Sequence, residues 1–311
     1  MYTQLVFIEN IELENNVGEF GIYHGSYFID RLPNEFFVNY GKIMNYQLKT
    51  RGIIFRKINR ENLPDGHYDL HSELAQIFTF GTWLIKDMSV YTSRSLLFDV
   101  AKEEYHLDMR NVFLSRADGT YKKEKINLSI LVKAGDLLGR LGKILTTSQR
   151  TKIENGEFNY AKSINTIDYS LTNRIDRALN FVFSARETNV VLKKISWYIV
   201  ALEALFSDGK SNKDIKQKLM ARVSSFIGVG NKDRERLKSD INSGFSLRSA
   251  FLHGSETAPK KSAHIMHVRI SESLDSMIRK TLVSIICDAE IQEIFGDQTK
   301  FMSYFKVKAR K

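Results

Sequence analysis

The hydrophobic period of this 311-residue chain changes partway along it, and that change restricts the fold more than any single motif does. Before about residue 155, apolar residues come in short strand-like runs: "QLVFIENIELE", "EFGIYHGSYFID" and "GIIFRKI". "NVFLSRADGTYKKEKI" reads as a hairpin turning at Asp118-Gly119, and a helix is expected from Leu128 to about Leu145. The polar stretch "SQRTKIENGEFNYAKSIN", with Asn155-Gly156, marks a linker or a small hairpin. Beyond it the spacing is helical, first at Ile167, Leu171, Ile175, Ala178 and Val182, and again at Leu274, Ile278, Leu282, Ile285 and Ala289. Between these lie an apolar helix near 189–206, a basic one near 212–227 and one from about 232 to 253. Two periods predict an α+β protein: a mixed α/β domain over residues 1–155, then an all-α bundle of five helices over 160–311.

Charge divides at the same place. Residues 1–155 carry 20 Lys and Arg against 19 Asp and Glu, a net of +1, whereas residues 156–311 carry 26 against 17, a net of +9. The helical half therefore suits a polyanionic partner such as nucleic acid.

Several classes drop out. A lone cysteine, Cys287, makes no intramolecular disulfide, and its apolar setting "LVSIICDAE" predicts a buried structural thiol. The N-terminus lacks the basic start and apolar core of a signal peptide, and "ISWYIVALEALF" is too short to span a bilayer, so a soluble cytoplasmic protein is expected. Gly135, Gly139 and Gly142 do not make a phosphate loop, because the spacing that ends at Lys143 needs glycine where Leu137 stands. His67 with His71 and His264 with His267 lack the Cys or Glu of a zinc pattern, so neither metal nor cofactor is expected. Ser95 and Ser115 stand outside any Gly-x-Ser-x-Gly context.

What remains is "FSLRSAFLHGSE", with Arg248, four intervening residues and His253. Nineteen arginines and seven histidines in 311 residues generate about 0.4 pairs at this spacing by chance, so context has to decide. A second pair at a looser spacing, Arg60 and His67, contains Pro64 and Gly66 and reads as a loop. In the motif helix, Leu237, Ile241 and Gly244/Phe245 form an apolar stripe whose next position is Arg248, which is thus expected to point inward. In "ISWYIVALEALF", Glu203 falls among Ile199, Val200 and Phe206, and a charge on such a face needs an opposite one. Glu203 is therefore expected to hold Arg248, with Arg222 of "KQKLMARVSSF" as the competing partner. His253 lies about 140° around the helix from Arg248. It sits above Ser249 and Ser246 on a polar flank, with Gly254 as a left-handed stop. An exposed imidazole at a helix C-terminus, beside a fixed cation, suits acid–base work on a phosphodiester.

"SWYIVALEALF", "KQKLMARVSSFIG" and "FSLRSAFLHG", in that order, resemble the Apea-like branch of the HEPN domains over roughly residues 165–296. The resemblance implies a helical bundle that pairs as a homodimer and brings two arginine–histidine motifs into one cleft. It further implies a metal-independent endoribonuclease of antiviral defence or toxin systems. On it, Arg248 and His253 match the motif, Glu203 matches the acidic residue of the preceding long helix, and Ser249 and Arg222 are supporting positions. RNA is the implied substrate, and residues 1–155 are left for a regulatory or trigger partner. The rival reading is a non-catalytic module whose bundle dimerises or binds nucleic acid.

Overall fold

The computed structural model describes residues 2–14, 19–23, 26–29, 52–58, 78–99, 101–102, 104–109, 113–154, 173–208, 214–254 and 261–308. Arg60, His67, His71, Ile167 and Leu171 lie outside these, as does Asn155-Gly156. The chain is α+β. It divides into two compact units, Met1–Leu114 with Tyr121–Arg140, and Ser115–Thr120 with Leu141–Lys311.

In the first unit, strand β1 (Tyr2–Glu9) buries Leu5, Val6, Phe7 and Ile8, consecutive residues that point to opposite faces. Such a strand has to lie inside a sheet. The six-stranded antiparallel sheet runs β3 (Glu19–Tyr23), β4 (Ser26–Ile29), β5 (Gly52–Ile58), β1, β6 (Tyr91–Asp99), β7 (Glu104–Met109). Helix α1 (78–85) and helix α2 (Leu128–Glu154) contribute Phe78, Leu131 and Leu138 to a core with Val6, Ile8, Ile54 and Ile126.

The hairpin expected around Asp118-Gly119 is not formed. The turn itself is present: Gly119 has φ +82°, and its N–H donates to the Arg116 carbonyl at 2.9 Å. Its arms part, however. After the turn, β8 (Glu124–Ile126) pairs in parallel with β2 (Ile11–Leu13), and the Glu124 N–H donates to the Asn10 carbonyl. Before it, Ser115 donates its N–H to the Arg186 carbonyl at 2.8 Å and its Oγ to the Thr188 carbonyl at 2.6 Å, which draws residues 115–120 into the second unit.

The second unit is built of α3 (Arg174–Glu187), α4 (Val191–Phe206), α5 (Ile215–Ile227), α6 (Gly230–Leu252), α7 (Lys261–Cys287), α8 (Ala289–Gly296) and α9 (Gln298–Lys308). Two of these exceed the five helices expected: beyond the last period expected, which ends at Ala289, the Asp288 carboxylate accepts the Glu290 and Ile291 N–H groups and the Asp297 carboxylate accepts that of Lys300, and each starts a short helix. Helix α4 is apolar almost all round, so only a central place satisfies it; it packs against α3, α5, α6 and α7. Asp240 of α6, almost wholly buried, accepts from Arg269 at 2.8 Å and Ser273 at 2.6 Å and ties α6 to α7. Phe206, Phe226, Phe295, Phe301 and Phe305 close one end edge to face, joining α8 and α9 to the bundle. Cys287, expected to be buried, is exposed, because it ends α7 just where the apolar run gives way to Asp288. No described helix is long and apolar enough to cross a membrane.

Candidate functional site

Helix α6 packs tightly on α4 at Gly244, where a Cβ would lie 2.9 Å from Ile199 Cδ1 and 3.1 Å from Leu274 Cδ1 of α7. One turn further along each helix stand Arg248 and Glu203, and the close approach brings them together: Arg248 Nη1 donates to Glu203 Oε1 at 3.0 Å. The pair is not fully desolvated, with side chains 27% and 23% exposed. Burial pushes the Glu203 carboxyl above its ordinary value, and Arg248 pulls it back down by charge and hydrogen bond.

Arg222 does not compete for Glu203. Its guanidinium donates to the Phe206 carbonyl at 2.6 Å and meets Asp208 at 3.3 Å, so it caps the C-terminus of α4. Arg174 serves the same end, donating to the carbonyls of Leu205 (2.9 Å) and Ser207 (3.0 Å) with its guanidinium 3.9 Å over the Phe301 ring. Burial, then the neighbouring Arg177 and Arg222, lower its pKa to about 10, while Asp208 acts in the opposite sense. Capping explains why a basic residue follows the apolar helix in "KQKLMARVSSF" without reaching its acid.

His253 is exposed at the C-cap of α6. Its backbone N–H donates to the Ser249 carbonyl at 3.0 Å, and Gly254 follows with φ +68°, the left-handed stop that ends the helix. Its imidazole has no hydrogen-bond or charged partner among the described residues. Ser246 and Ser249 are exposed on the same flank. The motif therefore presents one cation held by a carboxylate and one imidazole open to solvent.

Glu203 also lines a cleft of about 280 Å³ together with Arg174, Arg177, Phe181, Asp208 and Gln298. Only Glu203 among these was singled out in the sequence. The others come from a helix start, a helix end and the short α9, and such ends carry little periodic signal. Asn173 and Asp176, a reciprocal cap at the start of α3, did offer a local signature just before Arg177. Burial raises Asp176 to about 6.

The remaining candidates are placed elsewhere. His264 is exposed and His267 half-buried on α7, and no group of three His, Cys, Asp or Glu among the described residues is set to hold a metal ion. Ser115 is buried in the backbone contacts described above, and Ser95 is buried in β6. Gly135, Gly139 and Gly142 are all inside helix α2. Compared with protein-family models, curated proteins and solved structures, the chain matches none.

Proposed function

We propose that the chain is a metal-independent endoribonuclease of the HEPN type, homodimeric and cytoplasmic, serving antiviral defence or a toxin system. The observation that carries this reading is the pairing of a held cation with a free imidazole: Arg248 on Glu203 at 3.0 Å and exposed His253 five residues on. Cleavage begins with attack of an RNA 2′-hydroxyl on the adjacent phosphorus. The 2′ O–P bond forms, the P–O5′ bond breaks, and the proton lost from the 2′-oxygen is matched by one gained at the 5′-oxygen. The chemistry needs a base, an acid and a positive charge on the developing phosphorane. Across a dimer, one His253 takes the proton and the other gives one, while two Arg248 guanidinium groups bind the phosphate oxygens. Glu203 is a positioning residue, because it fixes the arginine rather than touching substrate. Residues 1–155 are assigned recognition of a regulatory or trigger partner.

The test is incubation of purified protein with labelled single-stranded RNA in EDTA. Products ending in a 2′,3′-cyclic phosphate and a 5′-hydroxyl are expected. Binding without cleavage favours the non-catalytic module instead.

A further inference from the structure

A second recess in the helical unit has a different character from the Glu203 cleft. Helices α5, α6 and α9 enclose a groove of about 750 Å³ into which Lys218, Arg222, Arg234, Lys238, Lys306 and Lys308 all project, and no acidic residue lines it. Three of these cations are already answered. Lys218 and Arg222 share Asp208 at 3.4 and 3.3 Å, and Lys238 meets Glu235 at 2.8 Å. The other three have no carboxylate among the described residues. Lys308 donates to the Ser225 carbonyl at 3.2 Å and sits 4.7 Å above the Tyr304 ring. Lys306 is exposed and makes no ion pair or hydrogen bond among the described residues. Arg234 holds its Nε shut away from solvent with no acceptor among the described residues.

A buried donor without an acceptor carries an uncompensated desolvation cost. Three uncompensated cations sharing one recess also repel one another. The repulsion is relieved when a polyanion with acceptor oxygens enters. Hydroxyls of Thr299 and Ser303 in the same wall supply neutral donors between the charges. Charges spread along a recess between helices fit an extended chain with regularly spaced anions, and a planar bilayer reaches only its rim.

The groove also leads somewhere. Gln298 lines both it and the Glu203 cleft, accepting from Arg174 on one side and donating to the Asp208 carbonyl at 3.0 Å. Along α6, Arg234 and Arg248 are fourteen residues apart, which is about 21 Å, and lie within about 40° of one another around the helix axis. A stacked strand spaced at about 3.4 Å per nucleotide covers that distance in about six nucleotides.

We propose that this groove binds the sugar–phosphate backbone of single-stranded nucleic acid and guides it past Gln298 towards Arg248. Only the guidance rests on the ribonuclease reading; the binding does not.

The experiment uses the full chain and a fluorescent 12-nucleotide oligodeoxynucleotide, which has no 2′-hydroxyl and is not cut. Anisotropy titrations at several salt concentrations compare the parent, Lys306→Gln and the double variant Arg234→Gln/Lys306→Gln. The double variant is expected to lose at least about tenfold in affinity at low salt. Its log–log salt slope should be shallower by about 1.4, two phosphate contacts at about 0.7 each. Lys306→Gln alone, at an exposed position with no ion pair or hydrogen bond among the described residues, should show about half the slope change and rules out misfolding as the cause.

Equal affinity and slope in parent and variants overturns the proposal. So does groove-dependent binding to phosphatidylserine vesicles with no binding to the oligonucleotide. If the oligonucleotide binding falls as expected but the parent cuts no RNA, the ribonuclease reading fails and the groove stands. In a parent that does cut, RNA of four nucleotides should be cleaved equally by parent and double variant, while a 12-mer should be cleaved more slowly by the variant. Equal sensitivity at both lengths removes the guidance.

Discussion

Arg248 and His253 share one helix end and live under opposite rules. The arginine is three-quarters covered, anchored to a carboxylate on another helix and positioned by a glycine contact one turn away. The histidine is exposed, capped only through its backbone, and carries no side-chain partner among the described residues. The first arrangement spends stability on placing a charge. The second leaves a group free to exchange protons with whatever approaches. Under the proposed function this division suits a site that binds a phosphate and moves its protons.

The largest expected effect breaks the comparison on the histidine side. His253→Ala should slow RNA cleavage by roughly 10²–10⁴-fold. Its melting temperature and helical circular dichroism should stay unchanged, since the imidazole is exposed and has no hydrogen-bond or charged partner among the described residues. A stable variant with parental activity would show that the free side chain does no chemistry. The next effect concerns whether one motif suffices. When equal amounts of parent and His253→Ala are unfolded together and refolded, random pairing leaves about a quarter of the dimers with two intact motifs. Activity should therefore fall to about a quarter of the all-parent value; a fall to one half means that each subunit works alone.

Much of this contrast was legible in the sequence, for definable reasons. The inward position of Arg248 follows from an apolar stripe at helical period, and the exposure of His253 from two serines beneath it and a glycine after it. Glu203 stood out because a charge inside "ISWYIVALEALF" breaks an otherwise apolar helix. What stayed hidden depends on partners rather than on period. The parallel pairing of β2 with β8 joins residues more than a hundred positions apart, and nothing in "KEKI" names its partner; its own turn suggested the wrong one. Strand β6 begins "YTSRS", too polar to show the alternation of a strand until Leu96 and Leu97. The basic groove draws its cations from α5, α6 and α9, each individually an ordinary charged helix face. Net charge by halves marked the correct half of the chain and could not find the groove within it.

The third effect sharpens the arginine side. Arg248→Ala should abolish cleavage and also destabilise the fold, because Glu203 keeps its charge and loses its partner. Exposed ion pairs contribute about 0–1 kcal/mol, and removing one member of a buried pair costs about 3–5 kcal/mol. A pair about one-quarter exposed belongs between them, at about 1–2 kcal/mol. Glu203→Gln/Arg248→Ala should recover part of that loss in thermal melts, since the unpaired charge is then gone. Equal stability of Arg248→Ala and the parent would mean that the 3.0 Å contact holds nothing in place.

The smallest effect lies in how that loss depends on pH. Glu203 is already raised by burial, and Arg248 is what restrains it. Without the arginine, the folded-state pKa climbs further above the unfolded value. An acid shifted upward binds its proton more tightly when folded, so its contribution is fully present below the unfolded pKa and is lost as pH rises through the folded one. The melting-temperature difference between parent and Arg248→Ala should therefore be widest near neutral pH and narrow as the pH falls towards 5. Asp176, raised to about 6, titrates in both proteins and cancels in the difference. If instead the Arg248→Ala gap is flat with pH, the cost comes from lost packing of the arginine's methylenes, and Glu203 is not the charge that holds it.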